Sequence, residues 1–146
     1  MAQTEVVDDR TVQGGLSTSP APSVGGRTEL ARVESPREQA QAALALATVD
    51  PEHAIAASAR AEAAARRAQD WAAVSVACRA RGVADVQLRH LDSAVAQLRA
   101  AIAAARRAGE PGLAGEARMS LGPALMLLGQ PTQGLSAVRR AIGELQ

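Results

Sequence analysis

Apolar and small residues recur every three or four positions from Ser35 to the end of the chain, and proline and glycine break that pattern at regular intervals. This is the period of a helix with one buried face. Ser35-Pro36-Arg37-Glu38 has the form of a capping box with Pro at the first helical position, so a first helix is expected over about 36–48. Asp50-Pro51-Glu52 opens a second, running to about 68, and Asp70 caps a third from Trp71 to about 89. Asp92 is the expected cap of a fourth helix, stopped by Gly109. Glu110-Pro111 opens a fifth, stopped by Gly129, and Pro131 a sixth that runs on towards Gln146. Residues 1–34 have no sustained period and are rich in Gly, Pro, Ser and Thr, which predicts a disordered leader. The expected fold is therefore all-α, six helices joined by short turns over 35–146.

The pattern repeats. Displaced by 40 positions the sequence overlays itself. Residues 63–68 (Ala-Ala-Ala-Arg-Arg-Ala) are identical to residues 103–108, Gly82 falls on Gly122, and the predicted caps coincide. Each unit is a helix pair, over about 35–69, 70–109 and 110–146. A period of this size indicates an α-solenoid of about three antiparallel pairs.

The small residues within the units resemble the tetratricopeptide repeat. Unit two supplies Gly82, Ala94 and Ala101 with Leu98 at the large apolar position. Unit three supplies Leu121-Gly122, Gly134 and Ala141 with Val138, and unit one Ala42, Ala54 and Ala61 with Ser58. Small residues let the two helices of a pair approach closely. Cys78 and Arg118 stand where that pattern prefers Trp, and Asp85 and Leu125 where it prefers Tyr. Residues 115–121 (Gly-Glu-Ala-Arg-Met-Ser-Leu) and the Ala-Ala-Arg-Arg-Ala-Gly run before them further resemble the N-terminal repeats of actinobacterial proteins that end in a caspase-like CHAT peptidase domain. That resemblance implies a recognition or regulatory region of a larger protein, whose catalytic His and Cys would lie outside these 146 residues.

The repeat-class resemblance also implies where a ligand would bind, because the first helices of successive units line a concave face. It places there Gln39, Ala43 and Leu46 of unit one, and Val76, Arg79, Val83 and Val86 of unit two. Unit three adds Glu116, Met119, Pro123 and Met126. The expected surface is a mostly apolar trough with Arg79 and Glu116 as polar handles. Pro123 should kink its helix by removing the bond to the carbonyl of Met119. The last helix carries Leu135, Val138, Ile142 and Leu145 on one side with no polar capping helix after it. This predicts a longer protein, a partner, or a homo-oligomer formed through Leu135, Val138 and Ile142.

Composition sharpens the picture. Ala accounts for 35 of 146 residues, while Leu, Ile and Val together number 29; Phe and Tyr are absent and Trp71 stands alone. A core this poor in large side chains must be built from close helix contacts, and the scarcity of aromatic residues argues against a β-sandwich or barrel. Sixteen basic residues, all Arg, face fifteen acidic ones. This near balance, without aromatic residues to stack on bases, speaks against nucleic acid as a partner. The Arg pairs at 66–67, 106–107 and 139–140 read as solvated helix faces, the first two in the last turn of a helix where cations suit its dipole.

No run approaches the roughly 18 apolar residues of a membrane span. The single Cys78 excludes an internal disulfide and fits a reducing cytoplasm. Its place in mid-helix predicts a buried, inert thiol. His53 and His90 lack the spacing of a metal site, and no phosphate loop or nucleophile elbow is present. The expected function is thus a non-enzymatic module, without cofactor or metal, that binds a protein or peptide.

Overall fold

The structure, a computed structural model, describes residues 33–146. They form six α-helices: α1 Pro36–Leu46, α2 Pro51–Arg67, α3 Trp71–Gln87, α4 Leu91–Ala108, α5 Pro111–Leu127 and α6 Pro131–Leu145. Among the described residues there is no strand, so the all-α class stands. The expected leader lies outside the described residues except for its last two.

Local chemistry sets the helix starts. Ser35 Oγ accepts from the Glu38 amide at 3.1 Å while Glu38 Oε1 accepts from the Ser35 amide at 2.9 Å, completing the capping box. Asp50 Oδ1 and Asp70 Oδ1 accept from the amides of His53 and Ala73 at 3.2 and 3.0 Å. The expected cap at Asp92 is not realised. The turn from α3 needs only Leu88, Arg89 and His90, so the helix begins at Leu91 with His90 at the cap position. Asp92 falls in the first turn of α4, where its charge still suits the positive end of the helix.

The ends of α2 to α5 follow one plan. Gln69, Arg89, Gly109 and Gly129 have φ of 55°, 63°, 73° and 88°. The next amide in each case returns to a carbonyl five residues back, from Asp70 to Ala65, His90 to Asp85, Glu110 to Ala105 and Gln130 to Leu125, at 2.8–3.0 Å. This left-handed closure suits glycine. At 109 and 129 the sequence provides it, while Gln69 and Arg89 adopt the same conformation with side chains attached.

The first helices lie side by side, α1 against α3 and α3 against α5. Each of α2 and α4 packs on the first helix of its own pair and on that of the next, and α6 packs on α5. No pair of Cα atoms comes within 8 Å between α2 and α4 or between α4 and α6. The core runs through these contacts and is built largely of alanine; Leu98 and Val74 are its largest fully buried apolar side chains.

Glycine allows the closest approaches. A Cβ on Gly82 would fall 2.6 Å from Leu98 Cγ, and one on Gly122 would fall 2.5 Å from Val138 Cγ2. The contacts expected between Gly82 and Leu98, and between Gly122, Gly134 and Val138, are therefore made. Unit one departs from the period. Ala42, which the 40-residue displacement sets beside Gly82, is exposed, and Ala40, Ala43 and Ala47 are buried instead. Four residues (47–50) join α1 to α2 where three join α3 to α4 and α5 to α6, so the register does not carry back through that turn.

Candidate functional site

A pocket of about 370 Å³ opens where α1, α3 and α5 meet. From α1 come Arg37, Gln41 and Leu44, three residues at helical spacing that share one face. Val76 and Arg79 line it from α3, and Leu113 and Glu116 from α5. Arg79 Nη1 donates to Glu116 Oε2 at 3.0 Å, and its Nε lies 3.4 Å from Ser120 Oγ. The ion pair ties α3 to α5 at the rim, with both partners partly open to solvent. Such a pair adds little stability. It offers a ligand a donor and an acceptor beside an aliphatic floor.

Of the residues expected on this face, the structure brings Val76, Arg79 and Glu116 together. Ala43 is fully buried and unavailable. Val83 is half-buried against Ala47, Ala54 and Ala84, and Val86 packs on the main core, so neither lines the pocket. Met119 and Met126 remain 43% and 40% exposed farther along α5. Met126 also leans on α6, because a Cβ added to Gly134 would fall 2.8 Å from its Cγ. Pro123 is exposed, and α5 is assigned as one helix on both sides of it. Arg37, Gln41, Leu44 and Leu113 were missed. The 37-41-44 spacing marks the three on α1, which lie one or two positions off the register of the other units; Leu113 on α5 carries no such signal.

Comparison with protein-family models, with curated proteins and with solved structures found no match.

On α6, Leu135, Ile142 and Leu145 are about half exposed and Val138 is turned against Gly122. Leu135 and Ile142 thus stand open to solvent, while Val138 serves the α5–α6 contact. Among the described residues no helix is long and apolar enough to cross a membrane, and no cluster of His, Cys, Asp and Glu could hold a metal ion. His53 and His90 are exposed, each 3.7–3.8 Å from an aspartate. Asp85, where the repeat pattern prefers Tyr, is buried and accepts from Ser93 Oγ at 2.6 Å, linking α3 to α4.

Cys78 is 1% exposed in the middle of α3. Burial, reinforced by the Glu62 carboxylate and opposed by Arg66, pushes its thiol from 9.0 up to about 12. A thiol held neutral is a poor nucleophile. The folded protein is expected to leave an aromatic disulfide reagent unreacted at pH 8, and to release one equivalent of chromophore per chain once unfolded in guanidinium. Reaction of the folded chain at the rate of a free thiol would contradict this placement. The linkage has a definite sign: stability contributed by the neutral thiol is intact below pH 9 and falls as the unfolded thiol ionises above it.

Proposed function

We propose that this chain is a helical-repeat binding module, a short α-solenoid of tetratricopeptide type without chemistry of its own. It would hold an extended peptide of a protein partner against the row formed by α1, α3 and α5. The observation that carries this reading is the pocket between those three helices, where the Arg79–Glu116 ion pair borders the aliphatic side chains of Leu44, Val76 and Leu113. An apolar recess with a few convergent polar groups is the usual form of a recognition site. The 40-residue repetition supports the reading from the sequence side, since repeat proteins bind through surfaces assembled from successive units.

The test is selection of dodecamer peptides from a random display library on the full chain. Selected peptides are expected to bind the native protein and to lose roughly tenfold in affinity on Arg79→Ala, the cost of about one charge-assisted hydrogen bond. Arg67→Ala, an exposed change on α2, should leave binding intact. Failure to select any binder, or binders indifferent to Arg79→Ala, would remove this reading.

A further inference from the structure

The second helices present a different surface. Because the backbones of α4 and α6 stand apart, with no Cα pair within 8 Å, a groove of about 450 Å³ lies between them with α5 as its floor. Four arginines line it: Arg99 and Arg106 from α4, Arg118 from α5 and Arg140 from α6. No carboxylate is among its lining residues. Arg118, 5% exposed, is bound by Glu144 of α6, and Arg99 reaches Gln133 Oε1 at 3.5 Å. Arg106 and Arg140 have no ion-pair partner among the described residues and stand exposed on opposite walls. Ile102, Leu121 and Leu125 form the apolar part between them.

The corresponding groove one unit earlier, between α2 and α4, shows what is particular here. It is smaller, about 230 Å³. Trp71 lines it, with the Arg107 guanidinium 3.8 Å from the ring centroid and that of Arg66 5.7 Å away. Arg66 is further held by Glu62 at 2.8 Å, one helical turn back. Displaced by 40 residues, Trp71 becomes Pro111, Glu62 becomes Ile102, Cys78 becomes Arg118 and Ala100 becomes Arg140. The later groove has thus lost the ring that lines its counterpart and the acid that neutralises its arginine, and carries Arg99, Arg118 and Arg140 where the earlier one has Ala59, Cys78 and Ala100.

We propose that the groove between α4 and α6 binds an acidic peptide segment of a partner protein, with an aliphatic side chain over Ile102 and Leu121 and flanking carboxylates on Arg106 and Arg140. Guanidinium groups bind carboxylates in paired, directional hydrogen bonds. Two unpaired guanidiniums on facing walls fix the spacing of two such groups, and the aliphatic floor between them favours a peptide over a simple anion. The site is separate from the pocket of α1, α3 and α5 and does not depend on it.

The test is a second selection, on the full-length Arg79→Ala variant, from a library enriched in Asp, Glu and aliphatic residues. Selected peptides are expected to carry carboxylates on both sides of an aliphatic residue, and to bind more weakly as salt is raised. Their affinity should fall at least about tenfold in the Arg106→Gln/Arg140→Gln double variant, whose changes are both at exposed positions and should leave the fold intact. Absence of binders, or binders unaffected by the double variant, would overturn the proposal. Displacement by inorganic phosphate at the same concentration as a peptide lacking the aliphatic residue would show an anion site only, and would overturn it as well.

Discussion

Gly134→Ala should destabilise the protein by about 2 kcal/mol even after the roughly 1 kcal/mol that alanine gains over glycine inside a helix. The added methyl would lie 2.7 Å from the carbonyl oxygen of Gly122 and 2.8 Å from Met126 Cγ. The methionine can turn away, but the carbonyl belongs to the α5 backbone. The two helices must therefore separate, and everything packed between them loosens. Gly122→Ala meets the same obstacle from the other side, at Val138 Cγ2 and the carbonyl of Gly134. Gly112 and Gly143 supply the contrast, since a Cβ on either meets nothing within 4 Å. Alanine there should be neutral or stabilising by up to about 0.5 kcal/mol. Thermal unfolding of the four single variants checks the set. Equal melting temperatures for Gly134→Ala and Gly112→Ala would mean that α5 and α6 do not cross where the structure places them.

A second large effect is expected at Glu144. Its carboxylate is the ion-pair partner of Arg118, whose side chain is 6% exposed, while Glu144 itself is 25% exposed. Glu144→Ala strands a guanidinium that is largely out of water. Breaking a fully buried pair from one side costs about 3–5 kcal/mol; the partial exposure of Glu144 lowers this to roughly 2–3 kcal/mol. Replacing both partners, as Arg118→Met with Glu144→Gln, should recover most of the loss, because no buried charge then lacks a partner. Urea unfolding of Arg118→Met, Glu144→Gln and their combination, with Glu144→Ala beside them, measures the coupling. A double variant no more stable than Glu144→Ala would show that packing by the arginine stem, and not its charge, holds α6 in place.

Much of this architecture can be read locally. A capping side chain or a proline at the first helical position marks a helix start whatever lies elsewhere in the chain, and Ser35, Asp50, Asp70, Pro111 and Pro131 stand at such starts. The Gly82–Leu98 and Gly122–Val138 contacts were legible because the repeat states them twice. What escaped depends on how helices cross. Asp92 looks like a cap until the length of the turn before it is known. Ala42 aligns with Gly82 until one further residue enters the turn after α1. Val86 has the right period for the binding face, but α3 is buried on nearly every side, so period alone does not tell which neighbour each residue meets. Arg118 and Glu144 are 26 residues apart, and only the register of α5 on α6 joins them. The arginine groove was hidden for the same reason. Arg99, Arg106 and Arg140 read singly as solvated charges, and they converge only because α4 and α6 stand apart.

That separation also bears on how this helical unit deforms. The first helices form a continuous packed row, and bending it would have to unseat alanine from alanine. Between α4 and α6 the span is crossed by long side chains such as Arg99 reaching Gln133, which can lengthen or swing without disturbing a core. Stiffness is therefore concentrated along one edge and compliance along the other. Spreading the row of second helices would also shift α4 on α5, so its cost is set by that apolar contact as well as by the exposed hydrogen bonds.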